Sequence, residues 1–192
     1  MYQMYLYQDP EEPEKRSAML REAALRHAPW LKEVQLDFGR TEAGKPYFTS
    51  WPASGVQFSI SHSGGLWACI LGPGRSGLDV QICRSCRHDE IAARFFTAAE
   101  TEYVRQEGIS GFYQIWTRRE AFAKYTGLGF FGTAGVRPDL VENGMLRETV
   151  PWEDRTLWIR EIPMEHPFAA AWCVDDEKEE LQIVRSAEIG RF

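Results

Sequence analysis

An α+β fold is predicted for this 192-residue chain, and three observations carry the prediction. Short apolar runs of period two, bounded by glycine and proline, mark strands near the start, middle and end of the sequence. Longer stretches with a period near 3.6 mark helices. Helix followed by strands occurs twice, which predicts two related α+β halves joined near residues 83–90. We place the halves at residues 1–86 and 87–192.

Residues 1 to 8 alternate, Tyr5 and Tyr7 against Leu6 and Gln8, and suit a first strand. Asp9-Pro10-Glu11-Glu12-Pro13 is a turn. From Glu14 to His27 the apolar positions Ala18, Met19, Ala23 and Leu25 fall at helical spacing, with Arg16, Arg21, Glu22 and Arg26 between them. Val34 to Phe38 alternates as a strand, and Gly44-Lys45-Pro46 turns the chain. Phe58 to Ser63 and Leu66 to Leu71 flank Gly64-Gly65, a β-hairpin signature. Gly77 to Ile82 is a further strand. After a polar loop at 83–90, helices are expected from Ile91 to Phe96, Thr97 to Gln106 and Gly111 to Tyr125. Thr97 and Glu100 have the spacing of a capping box, in which the two side chains satisfy each other's backbone amides. Strands return at Leu157–Arg160, Phe168–Val174 and Leu181–Val184. The acidic run from Asp175 to Glu180 reads as a solvated connector.

Composition narrows the function. A 13% aromatic content with 44% hydrophobic residues belongs to a packed protein rather than a disordered one. The net charge of −6 argues against nucleic-acid binding, which needs clustered, uncompensated Lys and Arg. No apolar run reaches membrane-spanning length. The start, Met1-Tyr2-Gln3-Met4-Tyr5, lacks a basic segment followed by an apolar one and does not read as a signal peptide. A cytoplasmic protein is expected, and its length and apparent internal duplication favour a monomer. Cys69 and Cys173 lie in apolar strand-like runs and read as small buried hydrophobes. Cys83-Arg84-Ser85-Cys86 has only His88 close by, too few ligands for a structural zinc site, and reads as a plain loop.

The helix from Ile115 to Tyr125, stopped by Gly127, is the centre of the chemistry. Trp116, Glu120 and Lys124 recur at i, i+4 and i+8 and share one face. Upstream, Asp79 and Gln81 point to one face of an otherwise apolar strand, where an unpaired carboxylate is costly. Lys45 in its Gly-Lys-Pro turn, and Ser61-His62-Ser63 at the end of a strand, each say little alone.

Taken in order they say more. Gly44-Lys45-Pro46-Tyr47, Phe58-Ser59-Ile60-Ser61-His62-Ser63, Gly77-Leu78-Asp79-Val80, Arg94-Phe95-Phe96-Thr97 with Glu100, and Trp116-Thr117-Arg118-Arg119-Glu120-Ala121 with Lys124 and Gly127 form a series. It resembles the 4′-phosphopantetheinyl transferases of the surfactin-synthetase (Sfp-like) type, from about Arg16 to the last strand. The resemblance implies a pseudo-twofold pair of α+β halves with the active site in the cleft between them. It implies transfer of the phosphopantetheine arm of coenzyme A to a serine of an apo acyl or peptidyl carrier protein, releasing 3′,5′-ADP. By similarity Asp79 and Glu120 hold Mg²⁺ against the pyrophosphate, a role suited to hard oxygen ligands. Glu120 is also a candidate base, and Lys124 stabilises or protonates the leaving group. Lys45, Ser61 and His62 match positions near the nucleotide and its 3′-phosphate, and Arg16 and Ser17 align with a further nucleotide-contacting segment. Basic or apolar side chains near the cleft, Arg118, Arg119, Phe130 and Phe131 among them, are candidates for meeting the carrier.

Three features depart from the pattern. Gln81 stands where many relatives carry a second acid; its amide oxygen can ligate Mg²⁺ or orient a coordinated water but brings no charge. Arg119 replaces a common lysine. The N-terminal region is shorter than in longer relatives. The alternative reading is a non-catalytic protein of the same fold that binds coenzyme A or a carrier, with Gln81 as a sign of lost activity.

Overall fold

A computed structural model describes residues 1–42, 44–50, 54–129 and 138–185. Helices and strands are mixed in an α+β arrangement. The chain runs through β1 (Tyr2–Gln8), α1 (Pro13–His27), a short 3₁₀ turn (Pro29–Glu33), β2 (Phe38–Arg40), β3 (Pro46–Phe48), β4 (Gln57–Ser63), β5 (Leu66–Gly72) and β6 (Gly77–Ile82). It continues through α2 (His88–Phe95), α3 (Ala98–Thr126), β7 (Val141–Glu142), β8 (Met145–Leu146), β9 (Thr149–Trp152), β10 (Arg155–Glu161), β11 (Phe168–Val174) and β12 (Leu181–Arg185).

Two four-stranded sheets organise the molecule, one in the order β12-β1-β5-β4 and the other β6-β11-β10-β9. Residues 86/87 divide the sequence but not the sheets. β6, before that point, pairs antiparallel with β11, and β12, after it, pairs parallel with β1. Each sheet therefore contains one strand from the far part of the chain.

The apolar residues sort into three layers of core, which fixes the stacking. Tyr5, Tyr7, Trp67, Cys69 and Leu71 pack with Leu20, Ala23 and Ala24 of α1. The alternate residues of the same strands, Met4, Leu6, Leu66, Ala68 and Ile70, meet Leu78, Val80, Ala170 and Trp172 of the second sheet. On the far side, Ala171, Cys173, Leu157 and Ile159 pack against Phe112, Ile115 and Phe122 of α3. The order is thus helix, sheet, sheet, helix. β5 is buried along its whole length because both of its faces are covered, which is why it reads as a continuous apolar run.

Several local expectations hold. Gly64 and Gly65 turn the β4–β5 hairpin with φ of 58° and 83°, the positive values a two-residue turn demands. Thr97 and Glu100 form the reciprocal capping box, Gly108 (φ 65°) interrupts α3, and Gly127 ends it in the left-handed conformation. The expected strand at Val34–Phe38 is displaced: only Phe38–Arg40 pairs, with β3. The carbonyls of Leu36 and Asp37 instead accept from Arg21 Nε and from the Thr49 N–H. β7 and β8 form a hairpin about Asn143 and Gly144, both at positive φ; that Asn-Gly pair is a turn signal the sequence reading passed over. Cys83 and Cys86 pack at the edge of the α3 core as free thiols.

Candidate functional site

The two sheets meet at their edge strands, β4 and β6. The N–H groups of Leu78, Val80 and Ile82, on the side of β6 away from β11, lack a strand partner and would be costly to bury. Ser59, Ser61 and Ser63 of β4 answer them in turn, their Oγ atoms accepting at 3.0, 3.1 and 3.1 Å. A strand pleat puts residues two apart on one face, so a Ser-x-Ser-x-Ser run supplies three hydroxyls in register with alternate amides. This ladder of side chains joins the sheets. It holds β6 beside the end of β4 that carries His62.

Asp79 stands in the middle of the joint, 1% exposed. Its Oδ1 accepts from Ser61 Oγ at 2.9 Å and from Lys124 Nζ at 2.8 Å; its Oδ2 accepts from Gln81 Nε2 at 3.1 Å. Lys124 Nζ also donates to Ser61 Oγ at 3.0 Å. The close fit of helix to strand depends on Gly77. A Cβ there would lie 1.9 Å from the Ala121 carbonyl oxygen and 2.6 Å from the Tyr125 nitrogen. Without a side chain at 77, α3 rests directly on β6, and Lys124 reaches Asp79.

Glu120, one turn before Lys124, lies in the same neighbourhood. Burial first, then the negative charge of Asp79, raises its carboxyl above the ordinary range, and Lys124 opposes them. Among the described residues no side chain hydrogen-bonds to it. A cavity of about 220 Å³ is lined by Glu120, Lys124, Ala123, Lys45, Ser59 and the glycines at 127 and 129, with Pro46 and Ile60 in its wall. Lys45 donates to the Ser76 carbonyl at 3.2 Å. Burial, with Arg75 nearby, pushes its ammonium down to about 8.

A second cavity, about 390 Å³, shares Pro46 and Ile60 with the first and is lined by Arg16, Ser17, Arg40 and His62. Asp9 grips Arg16 with both oxygens, Nε and Nη2 each at 2.7 Å, and lies 3.7 Å from His62 Nδ1. The Arg16 fork holds the Asp9 carboxyl below its usual range. Burial, then Arg16, lowers the proton affinity of His62, against Asp9, and so favours its neutral imidazole.

The predicted residues are therefore brought together in two adjoining groups: Asp79, Gln81, Ser61, Glu120, Lys124 and Lys45 in one, and Arg16, Ser17 and His62 in the other. Ser61 and His62, neighbours in sequence, part company because the pleat turns them to opposite faces. Gln81 presents its amide nitrogen to Asp79, while its oxygen accepts from Ser63 Oγ at 3.3 Å. Flipping the amide would set its oxygen against a carboxylate oxygen, so the network selects this orientation.

Two expectations are corrected. Arg118 and Arg119, considered as carrier contacts, are 5% and 7% exposed; Arg118 bonds the Gln114 carbonyl and pairs with Glu161, and Arg119 pairs with Glu100. Phe130 and Phe131 lie outside the described residues. Glu100 is more than a cap: besides Thr97 it accepts from Arg119 and from the Leu140 N–H. Sequence reasoning missed Asp9, Arg40, Gly77 and the outer rungs Ser59 and Ser63. Only the period-two serines left a visible signal.

The donor set suits a hard divalent cation. The Asp79 and Glu120 carboxylates offer hard oxygens, and a magnesium ion takes one or two carboxylates and completes its shell with water and other oxygens. Among the described residues no three or more His, Cys, Asp or Glu side chains gather as a metal site, so a cation here would rest on two carboxylates at most.

Comparison with known proteins agrees with this arrangement. A sequence model described as the 4′-phosphopantetheinyl transferase superfamily matches residues 75–144, the stretch that holds Asp79, Gln81, Glu100, Glu120 and Lys124. The 4′-phosphopantetheinyl transferase Sfp of Bacillus subtilis is 28% identical over 170 residues, covering 83% of this chain and 73% of its own. Psf-1 of Bacillus pumilus, another such transferase, is 27% identical over 169 residues, covering 82% and 70%. A Synechocystis protein provisionally given the same name is 33% identical over 137 residues, 66% of this chain; the chain spans 54% of that relative's length. Motif order, site geometry and these matches lead to one assignment: the chain belongs to the 4′-phosphopantetheinyl transferase superfamily.

Proposed function

We propose that this protein transfers the 4′-phosphopantetheine group of coenzyme A to a serine of an apo acyl or peptidyl carrier protein, yielding the holo carrier and 3′,5′-ADP. The observation that carries the reading is the convergence of Asp79, Glu120 and Lys124, from two elements far apart in sequence, beside a cavity that Lys45 also lines. The adjoining cavity, with Arg16, Ser17, Arg40 and His62, offers the cationic and hydrogen-bonding groups a phosphorylated nucleotide requires.

In this reading the carrier serine oxygen attacks the phosphorus that bears the pantetheine arm. The bond from that phosphorus to the bridging oxygen breaks, and the electron pair leaves with 3′,5′-ADP. Glu120 takes the serine proton, directly or through a water; its raised affinity for protons suits a base better than an ordinary carboxylate. Lys124 meets the developing charge on the leaving phosphate. Lys45, His62 and Arg16 hold the nucleotide, and Ser61 keeps Asp79 and Lys124 in register. Mg²⁺ bound by Asp79 and Glu120 would neutralise the pyrophosphate. Gln81, its nitrogen on Asp79, acts by orienting that carboxylate. The reading includes Mg²⁺ dependence and a monomer working in the cytoplasm, apart from nucleic acid and membrane. The net charge of −6 argues against a nucleic-acid partner, and among the described residues no helix is long and apolar enough to cross a membrane.

Intact-mass spectrometry tests it. An apo carrier incubated with coenzyme A, Mg²⁺ and this protein gains one phosphopantetheinyl group. The gain disappears with chelator and with Asp79→Ala or Glu120→Ala. Coenzyme A binding without transfer to any of several carriers would favour the non-catalytic alternative. Absence of binding would overturn the reading altogether.

A further inference from the structure

We infer that Lys124 is the resident cation of the metal-free site, and that a divalent ion arriving at Asp79 displaces it into the cavity where the leaving group forms. The inference rests on the transferase reading and adds a charge exchange to it.

Asp79 is buried at the joint between the sheets, and a buried carboxylate stays ionised only if something answers its charge. Of its three donors, Ser61 and Gln81 are neutral and Lys124 alone is charged. Oδ2 accepts one hydrogen bond, from Gln81, and Oδ1 accepts two, from Ser61 and from Lys124 Nζ at 2.8 Å. A divalent ion on either oxygen would share the one carboxylate with that ammonium. A magnesium ion binds carboxylate oxygen at about 2.0–2.1 Å and demands octahedral geometry. An ammonium in hydrogen-bonding contact with that carboxylate and a divalent ion bound to it repel each other at a few ångströms and so compete for its charge.

Lys124 is built to yield. Its side chain is 29% exposed while that of Asp79 is 1% exposed, so the lysine, unlike the carboxylate, reaches solvent. Lysine is a point charge on a flexible stem, without the fixed fork that binds an arginine in place. It also lines the cavity shared by Glu120 and Lys45, so the freed ammonium needs no change of backbone to enter it. Metal occupancy and the availability of Lys124 to the leaving phosphate thus become one event.

Mn²⁺ serves as the probe, followed by electron paramagnetic resonance without coenzyme A. Lys124→Met binds Mn²⁺ about tenfold more tightly than the wild type, the mark of a removed competitor. Lys45→Met, which removes a nearby cation that does not touch Asp79, measures the general electrostatic effect and changes affinity less than about threefold. Thermal melting gives a second readout: Lys124→Met is less stable than wild type without metal, and the difference vanishes at saturating Mg²⁺. Should the methionine variant not fold, Lys124→Gln, which keeps a donor for Asp79, takes its place. A Lys124 variant that binds Mn²⁺ no more tightly than Lys45→Met, or stays destabilised at saturating Mg²⁺, overturns the exchange while leaving the transferase reading intact. Wild-type protein that binds no Mn²⁺ sinks the metal site itself, and the exchange with it.

Discussion

Two buried carboxylates in this molecule are each paired with a cation of α3, and they behave as opposites. Glu100 is wholly buried and its partner Arg119 is 7% exposed; Asp79 is as deeply placed, but Lys124 is 29% exposed. Around Glu100 the hydrogen bonds are complete. Oε2 accepts from the Arg119 fork and the Thr97 N–H, and Oε1 accepts from the Leu140 N–H. That carboxylate ties the start of α3 to its second part, across the break at Gly108, and to the chain leading into β7. Asp79 is held by a hydroxyl, an amide and one ammonium, that of Lys124, which itself lines a cavity. The difference teaches that burial alone does not separate a structural ion pair from a functional one. Arginine's fork, fully answered, makes a permanent joint; lysine's single point of charge makes one that another cation can replace.

The strongest way to break the comparison is Glu100→Gln. It keeps the shape and a cap acceptor but leaves Arg119 buried without a countercharge, which costs about 3–5 kcal/mol. Denaturant titration should show that loss, while turnover per folded molecule stays at the wild-type value. A fall in turnover without a loss of stability would mean that the Glu100 pair reaches the chemistry after all.

Gly77→Ala tests the other pair through its scaffold. The new methyl meets the backbone of α3, which has nowhere to go but off β6, and overpacking of this kind costs about 1–3 kcal/mol. The same shift draws Lys124 and Glu120 away from Asp79. Transfer to the carrier should therefore fall much further than stability does, the reverse of Glu100→Gln. Carrier modification by intact mass, set beside the denaturation midpoint, separates the two.

How much of this was legible in the sequence follows from what each feature depends on. The β4–β5 hairpin, the capping box and the stop at Gly127 are local, written in two to four neighbouring residues, and they stand as read. The pairing of β6 with β11 and of β12 with β1 joins strands remote along the chain, and nothing near Gly77 or Leu181 announces the partner. The site shows the same division. Asp79, Glu120, Lys124 and Lys45 were singled out through ordered motifs; the structure sets Glu120, Lys124 and Lys45 about one cavity, with Asp79 bonded to Lys124. That Arg118 and Arg119 turn inward was not legible, since a helix so nearly covered offers no polar stripe to tell its faces apart. Asp9 and Gly77 escaped because their importance lies wholly in what sits opposite them.

The smallest effect concerns Lys45, which lines the cavity of Asp79's partner without touching Asp79. Burial holds its ammonium at about 8, against an ordinary lysine value of 10.5. The folded protein thus binds fewer protons than the unfolded chain between those two values. The penalty of burying the charge is complete below pH 8 and is relieved as pH rises toward 10.5. Wild-type protein should gain stability, relative to Lys45→Met, as pH rises through that window. At pH 7 the methionine variant should melt roughly a few degrees higher. Coenzyme A should show the opposite preference. Its phosphates need the charged lysine, so affinity in the wild type should decline above pH 8, and Lys45→Met should bind weakly with little dependence on pH. Melting curves and coenzyme A titrations at matched pH read the two effects separately. A methionine variant no more stable at pH 7 would mean that Lys45 has a countercharge in the free protein, making it a structural cation like Arg119 rather than one reserved for the ligand.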